Sequence, residues 1–139
     1  DVGMACRDAV PGVVNRKVAY GTKDFLEAPA MTREETVKAM EAGADMAVEL
    51  KERGYVLAGS GEMGIGNTTT SSALLSVLLD MDPERVTGRG AGLTTAGYNR
   101  KVQVIREGIR IHRPSGEDPV DALSKVGGLD LAALTGFYI

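Results

Sequence analysis

The glycines of one stretch, YVLAGSGEMGIGNTTTSSALL from residue 55 to residue 75, are spaced for holding phosphate. Gly59-Ser60-Gly61-Glu62-Met63-Gly64 meets G-x-G-x-x-G, the dinucleotide pattern. Gly61 to Thr68 meets the triphosphate pattern G-x-x-x-x-G-K-[ST], except that Asn67 stands where the lysine should be. A dinucleotide site needs its third glycine inside a helix, and an acidic residue about 20 positions on at a strand end. Here Ile65-Gly66 prolongs the loop, and Asp80 and Asp82 fall in a helix-ending segment. A triphosphate site needs a cation for the β- and γ-phosphates, and Asn67 has none to give. The remaining tools suit a single phosphate. They are successive backbone N–H groups, a helix start just behind, the donors of Asn67 and the hydroxyls of Thr68 and Thr69. A purely structural turn built on the same glycines is the competing reading.

Glu62 lies inside this loop. A carboxylate beside bound phosphate is costly unless it faces a cation. An anomeric carbon developing positive charge would be one. The plainer reading is a solvent-facing glutamate.

The elements that must position this loop follow from periodicity and caps. Tyr55-Val56-Leu57-Ala58 reads as a short strand feeding the loop, and a helix starts near Thr68 with Ala73, Leu74, Val77 and Leu78 on one face. Upstream, Thr32-Arg33-Glu34-Glu35 is a capping box. It opens a helix whose apolar face is Val37, Met40, Ala44 and Val48, stopped at Gly54. Val13-Val14 and residues 17–20 read as extended pieces. Asp82-Pro83 starts a short helix. Gly88-Arg89-Gly90-Ala91-Gly92 is a second glycine-rich loop. A third long helix begins at Thr94 or Thr95, with Tyr98, Val102, Ile105 and Ile109 along one side. Asp118-Pro119 caps a further helix that ends at Gly127-Gly128, and Asp130 opens a last one. Strand, glycine loop and helix in that order predict an α/β fold: Rossmann-like, three-layered and helix-rich, with a small, mostly parallel sheet. Residues 1–139 read as one domain.

Composition narrows the partners. Net charge is −3, from 16 basic and 19 acidic residues, which is the wrong balance for a nucleic-acid binder. One cysteine, Cys6, and one histidine, His112, leave no disulfide framework and no zinc cage. Cys6 reads as a small buried hydrophobe, and His112 as a partial cation at a helix C-terminus. Apolar runs fall short of the roughly 20 residues a membrane span needs, and the N-terminus carries no leader pattern. The expectation is a cytoplasmic protein without metal or cofactor.

GEMGIGNTTTSSA, VTGRGAGL, RKVQVI and DPVDALSKVGGLDLAAL, with GTKDFLEAPAMTREE upstream, closely resemble nicotinate-nucleotide–dimethylbenzimidazole phosphoribosyltransferase. The resemblance runs from about Gly21 to the end. It implies transfer of phosphoribose from nicotinate mononucleotide to 5,6-dimethylbenzimidazole, giving α-ribazole 5′-phosphate and nicotinate in cobalamin biosynthesis. It implies a homodimer without a metal, whose partners are small-molecule substrates. In this frame Gly64, Ile65, Gly66, Asn67, Thr68 and Thr69 hold the 5′-phosphate and ribose, and Lys101 supplies the cation missing at Asn67. Glu62 stands near the reacting ribose, Met63 packs on the benzimidazole, and Gly88, Gly90 and Gly92 approach the nicotinate. Enzymes of this family are expected to run to roughly twice this length. No residue here matches the further glutamate generally taken as base for the benzimidazole nitrogen. The chain is therefore expected to be an internal piece of such an enzyme, with Phe137, Tyr138 and Ile139 covered by another copy. The alternative is a non-catalytic module that binds a nucleoside monophosphate.

Overall fold

The structure, a computed structural model, describes residues 1–62 and 66–139. Among the described residues regular structure is helical: α1 Arg33–Glu52, α2 Thr68–Leu78, α3 Pro83–Val86, α4 Thr95–His112, α5 Pro119–Val126 and α6 Leu129–Tyr138. The capping signals act as the sequence says. Thr32 Oγ1 accepts from Glu35 N at 3.0 Å, and Glu35 Oε2 accepts from Thr32 N at 2.8 Å. Thr94 caps α4 through Gly97 N, and Asp118 caps α5 through Val120 N and Asp121 N. α6 starts one residue before Asp130, with Gly128 as its cap.

No strand appears among the described residues, so the expected small parallel sheet is not seen among them. Residues 55–58 form no regular element and are solvated, with a bend at Val56; Val56 is 100% and Leu57 88% exposed. A strand exists only against a neighbour that takes its N–H and C=O groups, and among the described residues no backbone ladder forms with this segment. The N-terminal region behaves similarly. Arg16 N bonds Asp1 O and Val18 N bonds Val2 O, both at 2.9 Å, but no ladder grows from the pair.

The buried face of α1 also differs from expectation. Val37 and Val48 are 40% and 55% exposed, and the buried positions are Thr36, Ala39 and Gly43. The cause is a close crossing with α6. A Cβ on Gly43 would stand 1.8 Å from Ala133 O, and one on Gly136 would stand 1.8 Å from Met40 O. Backbones this near exclude larger side chains, so the seam follows the glycines and alanines instead of the valines.

Two apolar clusters lie on either side of α5. Leu123 joins Met31, Ala39, Leu129 and Ala132, while Val126 joins Ala73 and Ile105. Ile105, with Val102 and Ile109, is the α4 face expected from its spacing. α2 contributes Leu74 to the first cluster and Ala73 to the second. Its N-terminus is thereby fixed between α4 and the start of α6. Cys6 is exposed, because its loop packs against no core element. His112 Nε2 lies 2.8 Å from Phe25 O, tying the end of α4 to the loop before α1.

Candidate functional site

The first turn of α2 is the centre of the site. Ser71 N donates to Asn67 O at 3.0 Å, the first bond of the helix, so the amides of residues 68–70 have no intrahelical acceptor. Hydroxyls around them turn back onto carbonyls. Thr70 Oγ1 and Ser71 Oγ donate to Asn67 O, and Ser72 Oγ donates to Thr68 O. The Asn67 side chain does not cap the helix. Its Oδ1 is buried and has no partner among the described residues.

On one flank of this turn stands Lys101, from the middle of α4 and only 6% exposed. Its Nζ donates to Thr68 Oγ1 at 2.8 Å and to Gly88 O at 3.0 Å. Burial pushes its pKa below the ordinary lysine value. An ammonium has three donors, and two of them are committed among the described residues. Gly90 closes this flank in a left-handed conformation, φ +57°. A Cβ there would stand 2.9 Å from Thr68 Oγ1 and 3.8 Å from Lys101 Nζ. Arg89 holds the loop from behind, donating to Leu93 O at 2.9 Å with its guanidinium 5.4 Å from the centre of the Tyr98 ring.

A cavity of about 610 Å³ beside this turn is lined by Glu62, Gly66, Asn67, Thr70, Gly128 and Asp130, together with Gly21, Thr22 and residues 1–4. Glu62 is exposed there, and Gly66 turns the chain with φ +79°. Asp130 Oδ2 is buried and has no partner among the described residues.

The structure therefore brings together Glu62, Gly66, Asn67 and Thr68, and joins Lys101, Gly88 and Gly90 to Thr68. Thr69 sits half-buried on the same turn. Gly92 turns the end of the second glycine-rich loop with φ +98°, and a Cβ there would meet nothing within 4 Å. The expectations for Met63, Gly64 and Ile65 lie outside the described residues. Sequence reasoning missed Asp130, Thr70 and Gly128 as part of the site. The pair Gly127-Gly128 just before an aspartate was the available signal, because it marks a close approach. A Cβ on Gly128 would lie 2.4 Å from Asp130 Oδ1 and 3.5 Å from Thr70 Oγ1. Among the described residues no group of His, Cys, Asp and Glu gathers to hold a metal ion. No helix among them is long and apolar enough to cross a membrane.

Comparison with known proteins shows what the whole chain is similar to. A phosphoribosyltransferase family model matches residues 1–139. The nicotinate-nucleotide–dimethylbenzimidazole phosphoribosyltransferase of Ruminiclostridium cellulolyticum is 50% identical over 139 residues, all of this chain and 40% of that protein. The enzyme of the same name from Acetivibrio thermocellus is 46% identical over the same span, again 40% of its length. Among solved structures, CobT from Thermus thermophilus superposes with a TM-score of 0.90 at 39% identity, covering 99% of this chain and 41% of that one. The chain thus spans about 40% of the length of the curated relatives it matches. Matched over its whole length, it belongs to the phosphoribosyltransferase family.

Proposed function

We propose that this chain carries the phosphoribose-holding part of a nicotinate-nucleotide–dimethylbenzimidazole phosphoribosyltransferase of cobalamin biosynthesis. The observation that carries the reading is Lys101. Its buried ammonium reaches the Thr68 hydroxyl at the head of α2 and the Gly88 carbonyl of the second glycine loop. A cation is thereby delivered to the helix start where Asn67 replaces the usual loop lysine. One charge, three amides and nearby hydroxyls suit one phosphate monoester.

In the reaction proposed, a ring nitrogen of the benzimidazole attacks the anomeric carbon of nicotinate mononucleotide. The bond from that carbon to the pyridinium nitrogen breaks, and its electron pair goes to the nicotinate ring. The benzimidazole loses its N–H proton to a base that we assign to no residue of these 139. In-line attack inverts β to α. Glu62, on the cavity beside Gly66 and Asn67, is proposed to stabilise the positive charge that develops on the ribose. Gly88, Gly90 and Gly92 are proposed to face the nicotinate, and Met63 the benzimidazole. The same reading includes a homodimer in the cytoplasm, and a small parallel sheet into which residues 55–58 enter as a strand.

Calorimetry tests the ligand class. Nicotinate mononucleotide is expected to bind more tightly than ATP. ATP binding tenfold or more the tighter would overturn the reading.

A further inference from the structure

One wall of the cavity beside α2 is the run Asp1–Met4, and a lysine outside the cavity lining shapes it. The Lys17 ammonium has three donors, and all are used. They go to Asp1 Oδ2 at 2.8 Å, Met4 O at 2.7 Å and Cys6 O at 2.8 Å. The other Asp1 carboxylate oxygen accepts from Gly3 N at 3.0 Å and from Met4 N at 2.8 Å. Residues 1–6 thus curl around one cation. The Lys17 and Asp1 side chains are only 14% and 10% exposed, which sets this pair apart from the solvated ion pairs that contribute little.

Apolar packing fixes only the first part of the wall. Val2 and Val18 pack against the cluster that contains Leu129, and a Cβ on Gly3 would stand 2.3 Å from Leu129 Cδ1. From Met4 to Arg16 every residue is exposed, so no core holds the turn at Met4. The ammonium does, by gathering a carboxylate and two carbonyls from residues that would otherwise move independently. Backbone bonds on either side of Lys17 tie the same run, Arg16 N to Asp1 O and Val18 N to Val2 O, both at 2.9 Å. A few residues further on, Gly21 and Thr22 also line the cavity. Lys17 therefore joins two stretches of the lining while touching neither the head of α2 nor Lys101 through any of its three bonds.

Resting on the phosphoribose reading above, we propose that Lys17 is a positioning residue, which holds the Asp1–Met4 wall in the shape that receives the part of the ligand beyond its phosphate. Calorimetry tests this with nicotinate mononucleotide and inorganic phosphate, on wild-type protein and Lys17→Met. The variant is expected to lose roughly tenfold in nicotinate mononucleotide affinity, the lower end of what bonds to a charged group are worth. Inorganic phosphate affinity is expected to stay within about twofold, because phosphate needs only the α2 head and Lys101. A purely stabilising lysine would lower the melting temperature without moving this ratio. Unchanged nicotinate mononucleotide affinity in folded Lys17→Met overturns the proposal, and so does an equal loss for both ligands. If Lys17→Met loses its helical circular dichroism, Gly3→Ala decides. Its added Cβ displaces the same wall from Leu129 and leaves Lys17 in place. The same selective loss is expected there, and an unchanged ratio overturns the proposal. If wild-type protein binds neither nicotinate mononucleotide nor phosphate, the phosphoribose reading itself fails and this proposal falls with it, a result distinct from a ratio that Lys17 does not move.

Discussion

Lys101 Nζ lies 2.8 Å from Thr68 Oγ1, a bond that joins the middle of α4 to the first residue of α2. The same ammonium holds Gly88 O at 3.0 Å, so one side chain gathers both glycine-rich loops. Lys101→Met is expected to weaken nicotinate mononucleotide binding by about 1.5–3 kcal/mol, the worth of hydrogen bonds to a charged group. Calorimetry at low salt checks this. Unchanged affinity would return Lys101 to a purely structural role.

Burial holds the pKa of Lys101 below 10.5, and the protonated form is the one that attracts phosphate. Affinity for nicotinate mononucleotide should therefore fall with rising pH at values below those expected of a free lysine. Ligand-free stability moves the other way. An unfolded lysine keeps its proton up to its ordinary pKa, whereas the folded one releases it sooner. Between the two values the unfolded state binds more protons, so stability rises with pH. Thermal melts of wild type and Lys101→Met, from about pH 8 to 11, should diverge in that sense. Parallel curves would contradict the assignment.

Gly90 combines a left-handed backbone with a neighbour 2.9 Å from where its Cβ would be. Gly90→Val should both strain the loop, by about 1–3 kcal/mol, and push Thr68 away from Lys101. Gly66 has positive φ and open space around it, so Gly66→Val adds strain alone on the cavity side. Both variants are expected to lose nucleotide binding. Only Gly90→Val should also erase the pH dependence that comes from Lys101. Thermal melts of the two variants across pH separate these outcomes.

Gly136 lets α6 approach α1 so closely that an added Cβ would stand 1.8 Å from Met40 O. Gly136→Ala must move one helix, at about 1–3 kcal/mol for overpacking. Because Asp130 begins the same helix, the cavity should change as well. Denaturant unfolding read beside nucleotide affinity checks whether both fall together.

What could be read from the sequence was local. Thr32 with Glu35, Thr94, and Asp118 with Pro119 carry their caps within a few residues, so those helix starts follow from short-range chemistry. The glycine loop and Lys101 came from spacing and from resemblance. The face of α1 was misjudged because hydrophobicity points to Val37 and Val48, while Gly43 and Gly136 decide the packing. That choice depends on a partner helix far along the chain. Residues 55–58 have strand composition, but a strand needs a neighbour that propensity cannot supply. Asp130 was read only as a helix opener. It lines the cavity because α6 starts against the first turn of α2.

The central claim is that Lys101, the α2 start and Glu62 serve transfer of phosphoribose, beyond merely holding it. The most direct measurement mixes the protein with nicotinate mononucleotide and 5,6-dimethylbenzimidazole and follows free nicotinate. The account predicts nicotinate release that requires the benzimidazole and matches α-ribazole 5′-phosphate one for one. Tight binding of nicotinate mononucleotide with no release would contradict it, and would make the site a nucleoside-monophosphate-binding module.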